Sequence, residues 1–244
     1  MHVNKKIVSH VLAAVLVFAL SSPIAAAQAA SGGNALPGRY STVAIPAEVI
    51  FQNSADAVFM LETFDKDGES IRTGSGFFIS ADGLAVTNLH VLENAASAEI
   101  TLHNGDVYPV RGMHAASEEF NLTIISIDSA EGGWKHLAVA DSDLIGVGNS
   151  VYVIGSPLAL LNTMTAGIIS KASRTVDGDT FIQFTAPISF GSGGSPLLNS
   201  RGQVIGVASN SFSYGQHLNL AVPINHLKTM TPGDPVSLES LLED

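Results

Sequence analysis

Apolar residues along this chain come in short runs broken by glycine, proline and Asp-Gly pairs, the signature of strands and tight turns rather than of helices. Gly76 to Ser80 (GFFIS) runs into Ala81-Asp82-Gly83, and Leu84 to Val91 (LAVTNLHV) leaves that turn as a predicted strand. Ala98 to His103 and Val107 to Arg111 flank Asn104-Gly105-Asp106, a hairpin signal because Asn-Gly accepts turn conformations cheaply. Leu122 to Ile127 (LTIISI) reads as a buried strand. Further strands are predicted at Ser150 to Ile154, Met164 to Ser170, Thr180 to Thr185, Val204 to Ala208 and Asn219 to Val222, with one helical turn at Ala47 to Asn53. Turn signals every ~8–12 residues point to an all-β sandwich or barrel. No heptad, low-complexity tract or solenoid repeat interrupts the pattern.

The two ends read differently. Lys5 and Lys6 precede the unbroken apolar run Val11 to Leu20, and Ser21 to Ala29 is small-residue sequence ending in Ala27-Gln28-Ala29. That is the layout of a secretory signal peptide over residues 1–29, cleaved before Ala30. The apolar run is about half of the ~20 residues a membrane span needs, so no stable anchor is expected after cleavage. Residues 30–46, rich in Gly, Ser and Pro, read as a flexible leader. Residues 229–244 (MTPGDPVSLESLLED follows Thr229) form an acidic tail whose last residues are expected to make at most an exposed helical turn. The chain has no cysteine, so an exported domain must depend on its apolar core instead of disulfides.

Charge narrows the partners. The net charge is −11, and loss of Lys5 and Lys6 makes the remainder more acidic. An acidic surface argues against nucleic acid or anionic membrane as a ligand. Charged residues are only 14% while glycines number 23, which suits a turn-rich β protein. His103, His114, His136, His217 and His226 are scattered, with no metal-ligand spacing and no phosphate-binding glycine loop before a helix; no metal or cofactor is expected.

Three blocks carry a resemblance: GSGFFISADGLAVTNLHVLENA (74–95), DSDLIGVGNSVYVIGSPLALLNTMTAGIIS (141–170), and PISFGSGGSPLLNSRGQVIGV (187–207) continuing to LNLAVPI (218–224). Together they resemble the trypsin-like serine proteases, in particular the HtrA (Deg) branch, without the PDZ domain that follows in many HtrA proteins. The resemblance implies two six-stranded antiparallel β-barrels over residues 47–228, in lobes of about 47–135 and 136–228. The active site would lie in the cleft between them.

A Ser-His-Asp site needs a hydroxyl within reach of an imidazole, a carboxylate holding that imidazole in one tautomer, and two main-chain N–H groups facing the developing oxyanion. By resemblance, His90 occupies the general-base position. The family's acid position falls on Asn121 (NLTIISI), and an amide cannot stabilise an imidazolium as an anion does. In a serine protease of this type that change costs about 10⁴ in kcat. Glu118 and Glu119 lie just upstream, a shift that misaims their side chains along the strand entry. In the loop Phe190-Gly191-Ser192-Gly193-Gly194-Ser195-Pro196, alignment from either side puts the nucleophile position on Gly193. Ser192, Ser195 and Ser189 flank it. A slip that makes Ser192 the nucleophile would displace the N–H groups of Gly191 and Gly193, which form the oxyanion hole by resemblance. Misplacement by about 1 Å can cost 10²-fold.

Pro187, Ile188 and Ser189 would line the specificity pocket and are uncharged, so a small or apolar side chain is expected there. The edge in 207–214 would pair with an extended chain by β-augmentation. The expectation is an exported homologue, periplasmic or extracellular, that is catalytically degenerate and binds polypeptide or a partner protein. The alternative is an active endopeptidase using His90 with Ser192.

Overall fold

Twelve strands close into two antiparallel six-stranded barrels in a computed structural model that describes residues 44–128, 133–209 and 218–242. The signal-peptide reading and nearly all of the leader lie outside the described residues. The first barrel is built from β1 (Val58–Phe64), β2 (Ser70–Phe78), β3 (Leu84–Asn88), β4 (Ser97–Leu102), β5 (Val107–Ser117) and β6 (Leu122–Ile127), in the order β1-β2-β3-β6-β5-β4. The second comprises β7 (Ser150–Gly155), β8 (Thr163–Val176), β9 (Asp179–Phe184), β10 (Pro196–Asn199), β11 (Val204–Ser209) and β12 (Asn219–Pro223), ordered β10-β11-β12-β9-β8-β7. Two short α-helices accompany them, α1 (Ala47–Ser54) and α2 (Leu89–Leu92). Among the described residues no helix is long and apolar enough to cross a membrane.

The apolar runs follow from this architecture. Successive side chains of a strand point to opposite faces, and here one face fills a barrel while the other meets the second barrel. In β2, Phe78 enters the first barrel's interior and Phe77 the layer between barrels. In β6, Ile125 and Ile127 go inward whereas Leu122 and Ile124 face the second barrel. In β9, Ile182 and Phe184 fill the second barrel and Phe181 turns to the shared layer. Strands buried on both faces lose the polar alternation of a half-exposed strand, and all six residues of β6 are buried.

Three differences from the sequence reading stand out. The strand predicted over Leu84 to Val91 ends at Asn88, and Leu89–Leu92 turns into helix. Two strands, β1 and β10, were not predicted. VFMLETF alternates Phe59 and Leu61 into the first barrel's core, while β10 opens on a proline and looks like loop sequence. The tail, finally, makes the expected exposed helical turn at Glu239–Leu242 but is docked just before it. Met113 and Val236 exchange both backbone hydrogen bonds at 2.8 Å, and Leu238 is buried in the first barrel's core.

Candidate active site

His90 is placed by a helix start that Asn88 does not cap with its own side chain. The first N–H groups of a helix have no partner inside it. Here the Asn121 carbonyl accepts from Leu89 N–H at 3.1 Å, and Asn121 Oδ1 accepts from His90 N–H at 2.9 Å. Asn121 itself has φ +49°, a left-handed conformation that Asn tolerates better than most residues. One asparagine therefore fixes both the backbone and the ring of His90.

The amide's orientation has a chemical consequence. A backbone N–H needs an acceptor, so Oδ1 is committed to His90 N–H, and Asn121 Nδ2 is left 2.9 Å from His90 Nδ1. Nδ2 can only donate, so this geometry favours a ring that accepts at Nδ1 and carries its proton on Nε2. That is the tautomer opposite to the one a general base uses. A protonated ring must turn Nδ1–H to Oδ1 at 3.2 Å, an oxygen already shared with the backbone. Burial holds the His90 pKa below the ordinary 6.5, against the opposing pull of the Asn121 hydrogen bond and the Glu93 charge.

Glu118 and Glu119 line the same cavity as His90, about 710 Å³ in volume, with Asn121, Phe181 and Leu238 in its walls. Among the described residues neither carboxylate hydrogen-bonds to the ring.

The loop carrying Gly193 docks on the first barrel through β2. Ser75 N–H donates to the Gly193 carbonyl at 2.8 Å, and the Ser75 hydroxyl donates to the Gly191 carbonyl at 2.7 Å. Ser75 Oγ in turn accepts from Ser156 N–H at 2.9 Å. A Cβ on Gly74 would stand 2.8 Å from Val91 Cγ2 and 3.3 Å from the Gly193 carbonyl. The helical turn bearing His90 and the loop bearing Gly193 thus meet across one glycine.

Within that loop the Ser192 hydroxyl is engaged by backbone, whereas Ser195 Oγ is buried with no hydrogen-bond partner among the described residues. Ser192 is 3% exposed, its Oγ accepts from Ser189 N–H at 3.2 Å, and its own N–H donates to the Ser189 carbonyl. Ser195 is fully buried, with Oγ against Gly155. Among the described residues none of the three serines hydrogen-bonds to His90. Pro187, Ile188 and Ser189 come together with Ser192, Val153 and Thr165 around a cavity of about 230 Å³ with no charged lining.

The Phe190 carbonyl accepts from Leu158 N–H at 2.9 Å. In a trans peptide the carbonyl and the following N–H point oppositely, so Gly191 N–H is turned away from Leu158. Neither Gly191 N–H nor Gly193 N–H meets an acceptor among the described residues. Of the edge expected in 207–214, residues up to Ser209 belong to β11 and the remainder lies outside the described residues. No cluster of His, Asp or Glu suited to a metal occurs among the described residues.

Residues 74–207, more than half of the chain, match the family model of the trypsin-like peptidase domain. The chain belongs to the trypsin-like peptidase family. Among curated relatives of this trypsin-like peptidase domain, a probable periplasmic serine endoprotease DegP-like of Chlamydia pneumoniae is 40% identical over 143 residues, covering 57% of this chain and 28% of the relative. The putative serine protease HhoB of Synechocystis sp. is 35% identical over 161 residues, 62% of this chain and 38% of that protein. The chain therefore spans well under half the length of the curated relatives it matches. A solved HtrA-type protease with a tripeptide superposes with a TM-score of 0.69 at 28% identity, covering 76% of this chain and 62% of that one.

His226 is the second histidine with a lowered pKa; burial is the leading cause, and its ring stacks on Phe120 at 3.7 Å. Both rings are thus neutral in the folded peptidase where unfolded histidines begin to protonate. The unfolded chain binds more protons below 6.5, so this stability is complete above that pH and is lost as pH falls. Urea midpoints are expected to drop from pH 7.5 to 5.5, and the His90→Gln/His226→Gln double variant to flatten that dependence. An unchanged dependence in the double variant would remove these histidines as its source.

Proposed function

We propose that this trypsin-like peptidase is a non-catalytic homologue that holds an extended polypeptide in its interbarrel cleft without cleaving it. The observation that carries this is the ring of His90, whose Nδ1 faces an amide, Asn121 Nδ2 at 2.9 Å, where a carboxylate would stand, and which has no serine hydroxyl as a partner among the described residues. Gly193, at the position the family alignment assigns to the nucleophile, offers no side chain. Triad members act as a unit, so once the nucleophile is absent the loss of the acid costs little more; the two departures are mutually consistent. Ser192 is a poor substitute because its Oγ already accepts from the loop backbone.

A peptide as the ligand class is supported by the uncharged cavity beside Ile188 and by the tripeptide held by the HtrA-type neighbour. Export to the periplasm is supported by the residue 1–29 pattern and by relatives named as periplasmic endoproteases.

The test is a fluorophosphonate serine probe followed by intact mass. No adduct is expected under conditions that label an active serine protease fully. A covalent adduct that disappears in Ser192→Ala would establish the endopeptidase reading in its place.

A further inference from the structure

Backbone N–H groups buried without an acceptor are rare because each forfeits a hydrogen bond to water. Gly191 and Gly193 are both buried and both lack one among the described residues. They sit two residues apart in a loop where Gly191 and Gly194 have φ of +86° and +88°. Left-handed residues in a turn let nearby N–H groups converge on one side, an arrangement suited to an anion. The Leu158–Phe190 hydrogen bond holds the Gly191 N–H in its orientation without a ligand.

In an active peptidase this pair of N–H groups receives the oxygen of a tetrahedral intermediate, formed only when a serine attacks. Without a serine at 193 to attack, the pair meets its ligand in the ground state, and an anion satisfies both donors with stronger, charge-assisted hydrogen bonds than a neutral carbonyl does. Glycine at 193 contributes no side chain of its own beside them. The adjoining 230 Å³ cavity has no charged lining to repel a carboxylate. The Asn121 amide also leaves a proton on His90 Nε2, making that nitrogen a donor where a general base would present an acceptor.

Resting on the peptide-binding reading above, we propose that the cleft reads free polypeptide C-termini. The terminal carboxylate would be held by Gly191 N–H and Gly193 N–H, with His90 Nε2–H as a third donor. The last side chain, small and apolar, would enter the cavity lined by Val153, Thr165 and Ile188. Because the chain ends at that residue, an internal peptide segment, whose carbonyl is neutral and followed by more chain, fits less well.

Three peptides separate this from general peptide binding: an acetylated hexapeptide ending in valine with a free carboxylate, its C-terminal amide, and the same hexapeptide extended by four residues. Calorimetry with the whole mature protein measures each affinity. Charge-assisted hydrogen bonds are about twice as strong as neutral ones, so the acid is expected to bind about 10–100-fold tighter than either other peptide. Equal affinity for all three, or preference for the amide or the extended peptide, overturns the C-terminal proposal while leaving peptide binding intact. Failure of all three to bind the folded protein overturns both.

Discussion

Gly193→Ser combined with Asn121→Asp is expected to give a variant that a fluorophosphonate labels and that hydrolyses peptide substrate. Each substitution has a defined place in the structure. Gly193 is not among the residues with positive φ, so a serine there meets no left-handed strain. An aspartate at 121 keeps the two contacts that start α2, since its carbonyl still takes Leu89 N–H and one carboxylate oxygen still takes His90 N–H. The other oxygen then faces Nδ1, where Nδ2 now stands at 2.9 Å, and an acceptor there pulls the ring proton to Nδ1. Nε2 becomes the acceptor that a serine hydroxyl needs. The N–H groups of Gly191 and Gly193, which meet no acceptor among the described residues, supply the oxyanion contacts. Gly193→Ser alone is expected to react about 10⁴-fold more slowly than the double variant, because the amide keeps the ring in the wrong tautomer. Intact mass against time measures both rates. A folded double variant that stays unlabelled would show that the loop no longer presents residue 193 to His90.

Gly194→Ala is expected to be the most damaging single substitution in the loop. Its φ is +88°, and a Cβ there would stand 2.0 Å from the Ser75 carbonyl oxygen and 2.5 Å from Thr87 Oγ1. Both are held, since the Thr87 hydroxyl donates to that same Ser75 carbonyl at 2.7 Å. The loop must then leave β2, breaking the Ser75–Gly193 and Ser75–Gly191 hydrogen bonds that join the barrels. Backbone strain of ~1–3 kcal/mol and overpacking of ~1–3 kcal/mol both apply, so a loss of about 3 kcal/mol or more is expected. Gly148 separates the two contributions, because it has φ +85° but nothing within 4 Å of its Cβ position. Gly148→Ala is expected to cost only the strain. Urea unfolding of the two variants measures the difference; equal losses would mean that contact with β2 contributes nothing.

Much of this protein is written locally. Gly76 to Ser80, the hairpin around Asn104-Gly105 and the run Leu122 to Ile127 declare strands because strand geometry depends on neighbouring residues and turn chemistry. The family motifs likewise place His90, Asn121 and the glycine-rich loop by spacing alone. Local sequence misleads where a distant residue supplies the partner. LAVTNLHV reads as strand throughout, yet α2 forms because Asn121, 31 positions from His90, accepts the N–H groups at its start. β10 hides behind a proline, and becomes a strand because β7 and β11 lie on either side of it. The tail looks like solvated acidic chain until Met113 offers Val236 a backbone partner.

The sequence by itself determined the all-β class, the family and the identity of the residues at each site position, since these depend on residue type and order. Only the tertiary structure decided which way the Asn121 amide points, which N–H groups have no acceptor among the described residues, and that the Ser192 hydroxyl is turned to backbone. Those are matters of orientation between segments far apart in the chain, and hydrogen-bond direction is set by the partners that folding brings together.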